Sequence, residues 1–553
     1  MSVNSARPML DGQQFDIVII GGGINGVAIA RECALAGRDV LLLEQNDFAS
    51  GTTSRSTRII HGGLRYLQYA EIGLVRESLQ ERDRLLRERP QLVRPLRFVL
   101  ALDGGSRFSA LQIRTGLWLY GKLAGNRWSA DPHRSAARQL EAELDSGRSW
   151  SLFEYDDAQC EFPERLVAEW AVEAATAGAT LCNYALVLDI EQVNGRVTGV
   201  LCRDRLSGRE CSIACNRVIN ATGPWVDKMC AEASVPTGGR LVGGVRGSHL
   251  VLPQFPGAPE TALYTHGVDR RPIFVVPWNH QILLGTTEVP DSSDPSSVAP
   301  SAGEIDYLLQ SANKLFPRAG LGVSDVHYAF AGIRPLPFME DTAPSAITRK
   351  ALLYDHRQDG VEGMISVIGG KLTTAASLAR RCAKAIGIHT VPVSEAPVPI
   401  NDANGIETTV RRWADAMARH VGVSPNFAEQ TASLYGPSAL AVLNIAASDE
   451  QMMQTLCPHT QRVVAEAIYA LRSEHAVMLS DVLLRRVPVA LGPCWSPECT
   501  RTAATRIGAA SGWNEEELEW QIETAELERA AFFKKPEFQV VTHDPSSMTE
   551  RLA

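Results

Sequence analysis

The stretch from Phe15 to Glu44 constrains this chain most. Phe15 to Ile20 is a short apolar run, and Gly21, Gly23 and Gly26 follow it in G-x-G-x-x-G spacing. A helix is predicted from about Asn25 to Ala36, ended by Gly37. A second apolar run, Val40 to Leu43, closes on the acid Glu44. This is the order of a dinucleotide-binding βαβ unit. Gly21 allows the tight turn, Gly23 lets a pyrophosphate approach the backbone, and Gly26 lets helix and strand pack closely. The helix N-terminus attracts phosphate, and Glu44 sits where a ribose hydroxyl is read. Glycines alone mark turns; the ordered set of strand, turn, helix, strand and acid is what gives the motif weight. It does not choose between NAD and FAD.

With 553 residues the chain is too long for one core, and two or three domains are expected. The composition, 45% hydrophobic and 21% charged, is that of a globular protein, and a net charge of -9 argues against nucleic acid as a partner. Eleven cysteines are scattered singly, which fits a reducing compartment rather than a disulfide framework. Cys494 and Cys499 lie close together without C-x-x-C spacing, so they read as free thiols and no metal site is expected. Residues 1 to 14 are polar and no apolar run is long enough to span a bilayer. The chain is therefore expected to be cytoplasmic, or attached to the inner face of the cytoplasmic membrane.

After Glu44 the run from Gly51 to Tyr66 sets small hydroxylated residues, among them Thr53, Ser54 and Ser56, between arginines. It closes on His61-Gly62-Gly63-Leu64-Arg65-Tyr66. Hydroxyls and guanidinium groups bind phosphate oxygens, and a histidine can move a proton. Further on, an apolar strand ends in Asn220-Ala221-Thr222-Gly223-Pro224-Trp225, where small residues let a backbone close over a nucleotide. Short apolar runs between Leu241 and Phe338 predict an antiparallel sheet. Within it Arg334 precedes Pro335, which holds its backbone extended and favours a fixed guanidinium reading an anion. Met364 to Ile368, then Gly369-Gly370-Lys371-Leu372-Thr373-Thr374, form a second strand–glycine–helix unit with a lysine at its mouth.

These separated motifs, together with Gly247-Ser248-His249, Gly285-Thr286-Thr287 and Gly332-Ile333-Arg334-Pro335-Leu336, resemble the FAD-dependent glycerol-3-phosphate dehydrogenase/oxidase family. The resemblance implies an α/β fold: an FAD-binding Rossmann-like domain of the glutathione-reductase and D-amino-acid-oxidase type, an inserted antiparallel-sheet substrate domain, and a C-terminal helical domain. It implies FAD as cofactor, with Gly21, Gly23, Asn25, Gly26, Glu44, Thr53, Ser54, Ser56, Ala221, Thr222, Gly223, Gly370, Lys371, Leu372 and Thr373 around it. It also implies oxidation of sn-glycerol 3-phosphate to dihydroxyacetone phosphate, hydride passing from carbon 2 to flavin N5. Arg65, Tyr66, His249, Arg334 and Lys371 are the expected substrate contacts, and Arg334 is also expected, with His61, among the catalytic residues. Arginine stays protonated and cannot be the base, so His61 is expected to take the hydroxyl proton, with His249 in reserve. Quinone is the electron acceptor the family leads one to expect, and a homodimer is left open. The alternatives are an oxidase using oxygen, another FAD-dependent amine or hydroxy-acid oxidase, and a flavin-binding protein without activity. Where family members commonly continue after Thr374 with Tyr-Arg, this chain has Ala375-Ala376.

The expected division is an oxidoreductase region over 15–390, a helical domain over 406–535 and a tail over 536–553. Within the first, nucleotide-binding segments are placed at about 15–100, 160–235 and 360–390, and substrate-domain segments at about 100–160 and 240–355. Residues 71–95 read as a solvated helix with Asp83 and Arg87 paired. Residues 105–128 read first as a buried core helix. Their mix of Arg107, Arg114, Lys122 and Arg127 with Trp118, Tyr120 and Trp128 also fits a helix lying in a membrane interface.

Overall fold

The computed structural model describes residues 8–106, 108–125, 136–344, 346–390 and 403–532. The proline-rich, polar stretch Thr390 to Gly405 reads as a linker, and its residues 391–402, the tail, Arg107, Arg127 and Trp128 lie outside the described residues. A six-stranded sheet holds the nucleotide unit, in the order Leu352–Asp355, Met364–Ile368, Val218–Asn220, Ile17–Ile20, Val40–Leu43 and Thr180–Cys182. All neighbours are parallel except the edge strand Leu352–Asp355. Ile17–Ile20, Val40–Leu43 and Met364–Ile368 are buried along their whole length, as strands covered on both faces must be. Ile17 and Ile19 pack toward the helices Ile24–Leu35, Pro163–Thr176 and Ala375–Ala385, while Val18 and Ile20 pack toward a four-stranded sheet built from Gln14–Phe15, Ala185–Val193, Arg196–Asp204 and Glu210–Cys215. Ala375 is wholly buried in the core it shares with the first helix.

A nine-stranded sheet forms the other half of the region. It is antiparallel except where Ala262–His266 pairs with Val93–Asp103. Val93–Asp103 crosses the expected boundary near residue 100 and pairs along its full length with Trp150–Cys160; Ile59–Ile60 also joins this sheet. Period-two alternation sorts its faces: Leu250 and Leu252 pack toward the helix Ala302–Leu315, and His249 points into the space between the sheets.

Two helical expectations need correcting. The helix Ile72–Glu88 is not a solvated one: Leu74, Val75, Leu79, Leu85 and Leu86 are buried, and so are Ser78, Glu81, Arg82 and Asp83. Asp83 pairs with its neighbour Arg82 rather than with Arg87, and the i,i+4 pair on this helix is Arg84–Glu88. Nor is the helix Ala110–Ala124 a core helix. Tyr120 is its one buried residue, and Leu111 and Trp118 are 74% and 63% exposed.

The described residues from 403 to 532 are mainly helical. The helical pattern predicts helices at Glu407–His420, Asn426–Tyr435, Thr460–Glu474, Leu479–Arg485 and Glu515–Phe533; the first, second, third and last are found as Ala403–Val421, Pro425–Tyr435, Val464–Ser473 and Glu515–Ala530. Ala439–Ala446 and Pro497–Ser511 are additional. The predicted helix 479–485 begins as one turn, Leu479–Asp481, and widens into a π-turn over Val482–Arg486. This widening brings Arg485 and Arg486 together onto Asp47, in the loop after Glu44.

Candidate active site

A cavity of about 1140 Å³ runs from the glycine turn, past the large sheet, to the helical domain. At one end Gly21 has φ +107° and a Cβ there would lie 2.7 Å from the Ala221 carbonyl, so the turn admits only glycine. A Cβ on Gly26 would lie 1.8 Å from the Gly21 carbonyl, which is why helix and strand can touch; Gly26 packs and does not line the cavity. A Cβ on Gly23 would meet only the Thr53 hydroxyl, at 3.4 Å, leaving this backbone open to the cavity at the helix N-terminus. Thr53 accepts the Ile24 amide at 3.1 Å. Glu44 accepts the amides of Gly22 (2.6 Å) and Asn46 (2.9 Å) and still faces the cavity. Burial pushes its pKa up, and those two amides pull against that. Asn25 donates to the Gly369 carbonyl at 3.2 Å, while its buried Oδ1 has no partner among the described residues. Gly370, at φ +104°, leaves room for that side chain.

Ser56, Ala221, Thr222, Gly223, Gly370, Lys371, Leu372 and Thr373 all line the cavity. Ser54 does not. Its hydroxyl donates to the carbonyls of Ser50 and Gly51, and its own carbonyl accepts from Arg58, so it builds the turn instead of facing a ligand. A bare glycine turn, an open helix N-terminus, an acid at the second strand end and an orphaned Asn25 oxygen fit a bound dinucleotide.

The other end collects charge. Arg334 is held by the Thr286 hydroxyl (2.8 Å) and the Thr287 carbonyl (3.3 Å), and no carboxylate among the described residues pairs with it. Burial, reinforced by Arg349, pulls its pKa down to about 10. The guanidinium lies across Gly247, where a Cβ would come within 2.4 Å of it. Arg349 lines the same wall, bonds Glu288 at 3.0 Å, and leaves a buried Nη1 with no partner among the described residues. Arg65, an expected substrate contact, reaches the same Glu288 at 3.5 Å but does not line the cavity, whereas Arg349 does. No motif surrounds Arg349; only the fold brings it here. Arg55, inside the hydroxyl-rich run, was also missed. It lines the cavity, stacks over Phe532 at 3.6 Å, and burial pulls it down to about 10.

Lys371 lies 4.4 Å over the Tyr66 ring and donates to Ser78 at 3.0 Å; both Lys371 and Tyr66 line the cavity. Burial lowers Lys371 to about 8 against the pull of Glu77 and Glu71. His61 lines the cavity, and its amide donates to Thr373 at 3.2 Å. Burial, then Lys371 and Arg82, hold its pKa down at about 3, so the imidazole is neutral. The turn behind it is fixed: the Gly62 amide donates to the Tyr120 hydroxyl (2.8 Å), which donates to Asp157 (2.8 Å), which Arg82 pairs at 2.8 Å. His249 is also neutral, lowered to about 3 by burial and by Arg334. It is the more constrained of the two, with Nε2 2.8 Å from the Thr57 hydroxyl and its ring stacked on Phe330 at 5.2 Å.

A family model described as FAD dependent oxidoreductase matches residues 16–383. The chain belongs to the FAD-dependent oxidoreductase family. A second model, the C-terminal domain of alpha-glycerophosphate oxidase, matches residues 399–518 of this family member. The oxidoreductase is 36% identical over 507 residues to a glycerol-3-phosphate dehydrogenase of Synechocystis sp., covering 88% of this chain and 90% of the relative. It is 37% identical over 381 residues to a D-erythritol 1-phosphate dehydrogenase of Brucella abortus, covering 68% and 74%. It superimposes on the glycerol-3-phosphate dehydrogenase from Bacillus halodurans complexed with FAD with a TM-score of 0.75 at 25% identity, covering 96% of this chain and 97% of the other.

Proposed function

We propose that this FAD-dependent oxidoreductase oxidises sn-glycerol 3-phosphate to dihydroxyacetone phosphate and delivers the electrons to a quinone. One observation carries the substrate reading: Arg334 and Arg349, with Glu288 their nearest counter-charge, line the same cavity as a neutral His61. A phosphate neutralises that excess, with Arg334 and Arg349 as fork-shaped donors, Lys371 as a point charge and the Tyr66 hydroxyl as a further donor. His61 then takes the proton of the carbon-2 hydroxyl on a ring nitrogen. Bound FAD supplies the two-electron acceptor for the hydride on that carbon. Arg334 and Lys371 also hold negative charge near the reacting atoms and orient the substrate.

Quinone and the membrane are proposed together. No helix among the described residues is long and apolar enough to cross a membrane. The helix Ala110–Ala124 presents exposed Leu111, Arg114, Trp118 and Lys122 one turn apart, a mixed apolar and basic stripe suited to the interface with an anionic leaflet. Its inner face meets the His61 turn through Tyr120. A homodimer has no specific support here.

Anaerobic addition of glycerol 3-phosphate to the yellow holoprotein should bleach the flavin, with glycerol far slower. Erythritol phosphate belongs in the panel because one relative carries that name. His61→Asn should keep its FAD and slow bleaching about 10²–10⁴-fold, the usual cost of losing a general base. An unchanged rate moves the base to His249. Peroxide formed at the rate of turnover without quinone would replace the quinone reading by the oxidase one.

A further inference from the structure

Away from the cavity, the fold of the helical domain brings together four residues that the sequence scatters. Cys457 and His459 lie in a hairpin whose bridge joins Thr455 to Val463, and Cys494 and Cys499 flank the start of the helix Pro497–Ser511. The two Cys residues 494 and 499, taken as a pair, read as free thiols; the fold adds Cys457 and His459 to them. The ligand atoms of all four lie within 4.8 Å of one another, and none of the three cysteines is in a disulfide. We propose that Cys457, His459, Cys494 and Cys499 bind a structural zinc ion.

Zinc with three thiolates and one imidazole is tetrahedral, and bonds of about 2.0–2.3 Å set its donors roughly 3.5–3.8 Å apart. The Cys499 Sγ to His459 Nδ1 distance is already 3.8 Å. A two-iron cluster attaches its ligands to two separate metals and spreads them wider, and three thiolates with an imidazole suit zinc better than the oxygen-seeking magnesium or calcium. Cys499 stands at the third helical position, where its amide donates to the Ser496 side chain at 3.2 Å and fixes the backbone that carries its thiol. Cys457 and Cys499 are buried while His459 is exposed, so the set is closed on the protein side and open to metal entry on the other. None of the four lines the flavin cavity.

The site has a clear mechanical position. Just before Cys494, the carbonyl of Leu491 accepts from Asn279 (3.1 Å) and Gln281 (2.9 Å), and that of Gly492 accepts the Tyr328 hydroxyl. Zinc would tie this docking loop, the 455–463 hairpin and the following helix into one unit, fixing the helical domain on the large sheet.

Protein expressed in zinc-supplemented medium and gel-filtered should retain about one zinc per chain, the stoichiometry of a closed four-ligand site. A thiol-specific mercurial should release it. Cobalt substitution should give intense tetrahedral ligand-field and thiolate charge-transfer bands. His459→Ala, at an exposed position, should fold with its FAD in place yet weaken zinc binding by more than the roughly 10–100-fold that loss of an outer-shell partner costs. Cys494→Ser should abolish the cobalt spectrum. Chelator treatment of the wild type should speed hydrogen exchange over residues 487–499 without changing the flavin spectrum. Zinc-free protein with all four side chains open to alkylation, or with Cys494 and Cys499 joined by a disulfide, would overturn the proposal. So would full zinc retention in His459→Ala and Cys494→Ser.

Discussion

Two groups of buried arginines in this molecule make an instructive pair. At the seam with the helical domain, Arg485 and Arg486 face Asp47, Asp481 and Glu528. At the far end of the cavity, Arg334 has hydroxyl and carbonyl partners only, and Arg349 shares Glu288 with Arg65. The seam is charge-compensated. Burial pushes Asp47 upward, but Arg486 and Arg485 outweigh it and hold the carboxyl below its usual range; burial and Asp47 push Asp481 the other way. Such a network positions two domains and needs no ligand. The cavity end is left with positive charge that burial makes costly and that a bound anion would offset.

The largest expected effect separates stability from function. Asp47→Asn leaves two buried guanidinium groups without their shared charge, and breaking a buried pair this way costs about 3–5 kcal/mol. A clear drop in Tm and in soluble yield should follow. Arg334→Met removes an uncompensated buried cation and should leave Tm unchanged or raised while activity collapses. If Arg334→Met destabilises as much as Asp47→Asn, the contrast between the two groups fails.

A smaller effect sharpens the cavity's side of the comparison. Lys371 loses its charge as pH rises through about 8. Because its protonated form attracts the phosphate, kcat/KM for glycerol 3-phosphate should fall across that point, and Lys371→Arg, which keeps its charge, should flatten the profile. An unchanged profile in the variant would remove Lys371 from the phosphate site. The smallest effect belongs to the membrane. Basic residues near an anionic surface contribute about 1 kcal/mol each, so Leu111, Arg114 and Trp118 changed together to Ala should reduce flotation with anionic vesicles without reducing flavin bleaching. Equal flotation would show that the exposed stripe is not the contact.

Local patterns in the sequence were enough for the nucleotide sheet, because glycine spacing and strand–helix periodicity are short-range signals. Gly21 to Glu44 and Gly369 to Thr373 lie where those signals put them. Ser54 misled because its hydroxyl has nearby carbonyls, at Ser50 and Gly51, that satisfy it before any ligand can. Arg349 was illegible for the opposite reason: its partner Glu288 is 61 residues away in sequence and meets it only once the sheet is built. The same holds for Cys457 and His459, whose hairpin meets Cys499 across the helical domain. The charged helix Ile72–Glu88 reads as solvated until its partners appear: Lys371 on Ser78, Ser377 on Glu77 and Arg380 on Glu81.

If Arg334 and Arg349 read a phosphate, removing that group from the substrate and removing Arg334 from the protein must act on the same contact. Anaerobic flavin reduction would be measured with glycerol 3-phosphate and with glycerol, in wild type and in Arg334→Ala. Losing a charge-assisted hydrogen bond costs about 1.5–3 kcal/mol, so the variant should lose roughly ten- to 150-fold in efficiency with glycerol 3-phosphate and almost nothing with glycerol. Equal losses on both substrates would contradict the account, because Arg334 would then be serving the fold or the flavin rather than the phosphate.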